Sequence, residues 1–219
     1  MIKVAQELLT LLIFNKFFLI LSPTSSSSPH KSIYTPTRIM ASIEQYISSS
    51  DIYKKVQELG KTITDFYMSN NQISEENPLM VLVILKGSTI FFSDLVRQLD
   101  IPLTVEFISI SSYGNDTESS GQVRFELDTR QSITGRHVLV VEDIIDTGNS
   151  LNAVLNLFKT RDPASIEIVC LLDKPSRRQT FVDVHWTGFK IEDQFVIGYG
   201  LDYAERYREL PYIGILKSS

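Results

Sequence analysis

Cysteine is almost missing from this chain of 219 residues: Cys170 stands alone. An internal disulfide and a cysteine-based zinc site are therefore excluded. Histidine is sparse too, and His30, His137 and His185 are too scattered to suggest a catalytic group. Positive charge is not in excess. With 21 Lys and Arg against 26 Asp and Glu the net charge is −5, which argues against a general nucleic-acid binder carrying a basic patch. No GxxxxGK nucleotide loop occurs. Gly198-x-Gly200 lacks the third glycine and the following helix of a dinucleotide fingerprint. No long internal repeat is present. The apolar run from Leu8 to Leu21 is broken by Asn15 and Lys16, and a membrane span needs ~20 apolar residues.

Residues 1–40 differ from the rest. A Ser/Pro tract covers Ser22 to Pro29, and no acid follows until Glu44. A Ser-rich, basic, acid-poor segment weakly fits a transit sequence, and the apolar part a signal. Met40 to Ile43 would also make a natural beginning, so the leader is open to being an artefact of start-site choice. A membrane-tethered form would depend wholly on residues 1–22. The expectation is a poorly ordered leader over 1–40 and one folded domain over 41–219.

What is present can fill a core: 43% of the residues are hydrophobic. The stretch from Arg136 to Leu151 organises the chain. His137 to Val141 is a short β-branched run, which predicts a buried strand of a parallel sheet. Glu142 and Asp143 then put two acids at its tip. Asp146, Thr147, Gly148, Asn149 and Ser150 form a small polar loop. From Leu151 onward Val154, Leu155 and Phe158 fall at helical spacing. A helix N-terminus offers free N–H groups and the positive end of the macrodipole. Gly148 allows close backbone approach, and Thr147 and Ser150 add hydroxyls. The loop therefore suits a phosphate. The carboxylates would repel that phosphate unless they met ribose hydroxyls or Mg²⁺. A plain capped βα turn is the bland alternative.

The same unit recurs. Leu79 to Leu85 is a buried strand, Lys86, Gly87 and Ser88 its tip, and Thr89 to Leu99 a helix. An amphipathic helix precedes it on Ile52, Val56, Leu59, Ile63 and Phe66, with Ser50 or Asp51 available as cap. Leu103 to Ile110 and Gln122 to Leu127 read as strands around Ser111–Gly121, eleven polar or small residues. A stretch of that kind in a compact domain is a lid, a binding loop or disorder. Asn115 to Thr117 forms a glycosylation sequon of a kind common by chance. Ser165 to Leu172 is a further strand, within which Cys170 reads as a small buried hydrophobe. Lys174 follows at its carboxyl end, where open α/β sheets bind ligands. Arg177 and Arg178 fit a solvated basic turn. Strands and helices alternate, so the fold class is α/β around a mainly parallel sheet.

Val141 to Gly148 resembles the phosphoribosyl-diphosphate (PRPP) motif of the type I phosphoribosyltransferases, close to the form in the hypoxanthine–guanine members. The resemblance extends from about Leu79 to Leu216. It implies an open sheet flanked by helices, with a small hood built from the N-terminal part and last third. It makes Lys86 and Gly87 a pyrophosphate loop whose Lys–Gly peptide can be cis, and Ser112 with Tyr113 the signature of a mobile lid. Lys174 is implied to meet the purine 6-oxo group, with Phe195 and Val196 at the base. Phe195 would stack, although core is its default reading. Asp202 is implied to contact Mg²⁺ beside the base, and Arg208 the pyrophosphate. Glu142 and Asp143 take the ribose hydroxyls and metal, and Asp146 the purine N7 proton as general base. The implied partners are PRPP, a 6-oxopurine and a second copy in a homodimer or homotetramer. The implied location is cytoplasmic. A transferase for xanthine, or a non-enzymatic PRPP-sensing regulator, are the rival readings.

Overall fold

The computed structural model describes residues 42–70, 72–112 and 123–217. The leader, Tyr113, the sequon and most of the Ser111–Gly121 segment lie outside them. Six strands form the main sheet: β2 (Leu79–Leu85), β3 (Leu103–Ser112), β4 (Val123–Leu127), β5 (His137–Ile145), β6 (Ser165–Asp173) and β7 (Trp186–Lys190). Their spatial order is β4-β3-β2-β5-β6-β7. All neighbours pair in parallel except the edge strand β4, which is antiparallel to β3. Aliphatic residues on both faces of β2 and β5 are buried, as a strand sandwiched between two layers requires.

Helices α1 (Ser49–Ser69) and α2 (Thr89–Val96) cover one face, and α3 (Asn149–Lys159) the other. Val81, Val83, Leu139 and Val141 join the core beneath α1 and α2. Met80, Leu82, Val138 and Val140 join the core beneath α3. Alternation along each strand thus decides which helix a residue meets.

Several boundaries depart from the sequence reading. Ser48, not Ser50 or Asp51, caps α1: its extended backbone lets Oγ accept from Asp51 N at 3.1 Å. Helix α2 stops at Val96 and tightens into a turn, with Gln98 N donating to Leu95 O at 2.8 Å. Strand β5 runs on through Glu142 and Asp143 to Ile145, held there by β6. The cis peptide bond is Leu85–Lys86, one residue before the expected Lys86–Gly87.

A second sheet, β1 (Ile43–Ile47), β9 (Ile213–Leu216) and β8 (Val196–Ile197) in that spatial order, is antiparallel throughout. It forms the hood, and Ile47, Val196 and Ile213 root it in the α1–α2 core.

Cys170 is fully buried, and burial pushes its thiol up to about 12. Only the thiolate is nucleophilic, so below that pH the side chain stays neutral and inert. Iodoacetamide at pH 8 should leave the native protein unlabelled and label it stoichiometrically in denaturant. Rapid labelling of folded protein would contradict the packing described.

Candidate active site

The strand order reverses between β2 and β5. Helix α2 leaves β2 on one face, and α3 leaves β5 on the other. The carboxyl ends of two adjacent strands therefore open a crevice, the place where such sheets bind ligands. Lys86 and Gly87 lie on one side, and Asp146, Thr147, Gly148 and Ser150 on the other.

Glu142 and Asp143 do not act as a pair on one face. Successive strand residues point oppositely, and the two acids divide accordingly. Glu142 lines a cavity of about 150 Å³ with Asp146, Thr147, Gly148 and Ser150. Asp143 faces the other way, toward Gly87, Asp202 and Arg208. A Cβ on Gly87 would lie 1.7 Å from Asp143 Oδ2, so only glycine allows that approach. Burial, then the neighbouring Asp143, holds Glu142 well above the usual carboxylate range. Burial likewise pushes Asp143 up to about 6, with Asp202 adding to the rise and the Ile144 N–H and Arg208 opposing it. Negative charge is thus costly here without a ligand, and a cation or hydroxyl donors would relieve it.

In the loop before α3, Gly148 is the N-cap and adopts φ 83, a left-handed conformation that glycine takes without strain. It offers no side-chain cap. Asn149 N donates to Thr147 Oγ1 at 3.3 Å, and the N–H groups that follow in the first turn have no partner within the helix and suit an anion. Ser150 lines the cavity but Asn149 does not. The Asn149 amide is instead taken by Gln179 at 2.9 Å and by Thr180 at 2.6 Å.

Beyond β6, Lys174 is only 7% exposed. Its N–H bonds Ile145 O at 3.0 Å, tying the tips of β5 and β6 together. Arg177, read from sequence as a solvated turn residue, donates from Nε to Asp146 Oδ1 at 3.0 Å. Asp193 lies 3.8 Å from Arg177 and 3.9 Å from Lys174. Arg178 is no solvated group either, since it pairs with the buried Asp173. The short 3₁₀ turn Pro175–Arg177 carries the missed signal. Residues three apart in such a turn eclipse one another, so Arg177 follows Lys174 into the crevice.

The hood supplies the last wall. Phe195 is 55% exposed and meets Tyr203 edge to face, centroids 5.6 Å apart, so it is an open plate and not core. Val196 behind it is buried. Asp202 forms an ion pair with Arg208 at 2.8 Å and accepts from Glu205 N at 2.9 Å. Lys86 reaches Glu205 at 3.2 Å. Ser112 ends β3.

A family model described as the phosphoribosyl transferase domain matches residues 49–204. The chain belongs to the phosphoribosyltransferase family. This phosphoribosyltransferase is 46% identical over 172 residues to the hypoxanthine phosphoribosyltransferase of Haemophilus influenzae, covering 78% of this chain and 94% of that one. It is 46% identical over 171 residues to the hypoxanthine-guanine phosphoribosyltransferase of Bacillus subtilis, covering 78% and 91%. Among solved structures, the Trypanosoma cruzi hypoxanthine phosphoribosyltransferase in complex with the product IMP superposes with a TM-score of 0.76. That match is 42% identical and covers 83% of this chain and 98% of that one.

The nesting of Gly87 against Asp143 is testable. Gly87→Ala should destabilise the protein by about 1–3 kcal/mol, the usual cost of overpacking, and Asp143→Ala in the same chain should recover most of that loss. Urea titration of the single and double variants measures both. A Gly87→Ala protein as stable as the parent would contradict the contact.

Proposed function

We propose that the chain transfers the 5-phosphoribosyl group of PRPP to N9 of hypoxanthine or guanine, yielding IMP or GMP and pyrophosphate. Purine salvage is the role this reaction serves, and residues 41–219 carry it. One observation bears most of the weight: the bonded tips of β5 and β6 set a buried ammonium, Lys174, beside a phosphate-sized cavity edged by Asp146. A phosphate pocket and a keto-selective donor thereby share one crevice.

The residues divide the chemistry. Thr147, Gly148 and Ser150 receive the 5′-phosphate, with Asn149 bracing their loop from behind. Lys86, Gly87 and Arg208 meet the pyrophosphate, and Lys86 leaves Glu205 to do so. Loss of pyrophosphate builds positive charge at C1′, which the field of Glu142 and Asp143 favours. These two acids also accept from the ribose hydroxyls. Asp146 takes the purine N7 proton as general base, exchanging its bond with Arg177 for one with the base. Lys174 donates to the 6-oxo oxygen, Phe195 covers the ring and Val196 lies at its edge. Water that would otherwise hydrolyse PRPP must be kept from the crevice; Tyr113, read together with Ser112 as the lid signature, lies outside the described residues.

The donor set fits Mg²⁺, a hard ion that prefers oxygen. Asp143 is buried opposite Asp202, and the charge between them calls for a cation. Among the described residues no three His, Cys, Asp or Glu groups converge to hold an ion alone, so Asp143 and Asp202 would share it with substrate oxygens, while Glu142, turned to the other side of β5, would reach the ribose and not the ion directly. Bound there, Mg²⁺ would neutralise charge on the departing pyrophosphate.

A solved Trypanosoma cruzi relative concerns the role of its C-terminal region in oligomeric state and activity. A homodimer or homotetramer is the corresponding proposal for this chain. No described helix is long and apolar enough to cross a membrane, and a cytoplasmic location is proposed.

Two substitutions test the assignment. Asp146→Asn should lower kcat by ~10²–10⁴-fold with little change in PRPP affinity, and an unaltered kcat would overturn its role. Lys174→Ala should raise KM for hypoxanthine and guanine by roughly 10–100-fold, the loss of a charge-assisted hydrogen bond worth ~1.5–3 kcal/mol. PRPP affinity should hold within about twofold in that variant, and equal weakening of both substrates would show that base recognition lies elsewhere.

A further inference from the structure

Helix α2 begins directly after the Lys86–Ser88 loop and is locked into the core by Phe91 and Leu95. The helix is bonded to that loop, with Thr89 N and Oγ1 donating to Lys86 O at 3.3 and 2.7 Å. Asp94, on this helix, accepts a hydrogen bond from the hydroxyl of Tyr199 at 2.6 Å. Tyr199 belongs to the hood, in the turn between the base plate at Phe195 and Asp202. It is 6% exposed. Burial, then Asp94, pushes its phenol above the ordinary value, so the hydroxyl keeps its proton and donates. Its backbone sits at φ 49, a conformation that a bulky side chain adopts only when its surroundings over-determine it.

The surroundings do so. Gly198 and Leu201 exchange hydrogen bonds at 2.9 and 3.0 Å, and Tyr199 N and Gly200 N donate to Leu210 O and Arg208 O. Arg208 in turn donates to Gly200 O at 2.8 Å. The turn then presses on the pyrophosphate loop itself, because a Cβ on Gly200 would stand 2.0 Å from Gly87 O. Two polar side-chain contacts cross this seam, the exposed Lys86–Glu205 pair and the part-buried Asp94–Tyr199 bond, and the second ties the hood turn behind the base plate to the helix that follows the pyrophosphate loop.

We propose that the Asp94–Tyr199 hydrogen bond is a positioning device for phosphoribosyl transfer, fixing the hood's base plate at reacting distance from the pyrophosphate loop. This inference rests on the function proposed above. Nucleophile and leaving group lie on opposite sides of C1′; the plate over the base comes from the hood, and the pyrophosphate loop Lys86–Gly87 from the main sheet. Their alignment depends on the seam, and a misplacement of about 1 Å can cost ~10²-fold in rate. Neither side chain touches substrate, so both are positioning residues.

The test uses the full chain, single-turnover transfer to hypoxanthine from saturating PRPP, and PRPP affinity measured separately. Tyr199→Phe keeps the ring and loses only the bond. It should slow single-turnover transfer by roughly 5–50-fold, with PRPP affinity within about twofold of the parent. Asp94→Ala should do the same, and the double variant should be no slower than either single one, since both changes break one contact. Asp94→Asn retains an acceptor and should restore most of the rate. It gives up only the exposed pairing of Asp94 with Arg97, a kind of contact that contributes little. A Tyr199→Phe rate within twofold of the parent overturns the proposal, even if the melting temperature falls. So does a double variant whose losses multiply, or an Asp94→Asn variant as slow as Asp94→Ala. If the unmodified chain transfers nothing to hypoxanthine, the functional reading fails and the device falls with it. Transfer by the parent with unaffected variants sinks the device alone.

Discussion

The parallel pairing of β2 with β5, Met80 against Val138 through Val83 against Val141, is the contact on which the site depends. These strands are separated in sequence by β3 and β4 yet adjacent in space. Their helices must leave in opposite directions, and the gap between the two departures is the crevice. The buried aliphatic side chains of β2 and β5 contribute about 1.5–3 kcal/mol each. That hydrophobic anchor lets the strand tips carry features that would be unfavourable in isolation: two partly buried acids, and a glycine wedged against one of them.

Division of the acids across the sheet gives the site its two compartments. Glu142 shares a cavity with the loop that begins α3, while Asp143 looks across to Asp202 and Arg208. A sugar lying over the strand tip can meet both. In the proposed reaction its 5′-phosphate would fall on the α3 side and its leaving group on the α2 side. Burial raises both carboxyls, so their ionised forms are unfavourable until substrate hydroxyls or a cation offset the cost. The cost is localised where binding relieves it, as expected of a functional site.

Much of this was legible from local pattern. The β-branched run His137 to Val141 and the helical spacing after Leu151 located β5 and α3. The small residues between them marked the loop that precedes α3. The aliphatic run Leu79 to Leu85 marked β2. The missing parts depend on contacts between distant segments. Periodicity could not tell that Glu142 and Asp143 remain inside β5, because their register is imposed by β6. It could not show that Arg177 reaches Asp146, which needs the chain reversal after Lys174. It could not show that Asn149 turns away to Gln179 and Thr180, or that Phe195 is open while Val196 is buried. Tyr199 looked like an unremarkable residue between two glycines, and its partner Asp94 lies 105 positions away.

The central claim is that one crevice joins a sugar-phosphate pocket to a donor that selects a 6-oxo base. It is tested most directly by measuring PRPP-dependent pyrophosphate release by the purified protein, with Mg²⁺ present, against hypoxanthine, guanine, xanthine and adenine in turn. A buried ammonium donates but cannot accept, so the account predicts rapid turnover with hypoxanthine or guanine and poor turnover with adenine. Adenine used as readily as guanine, or no release with any base, would contradict it.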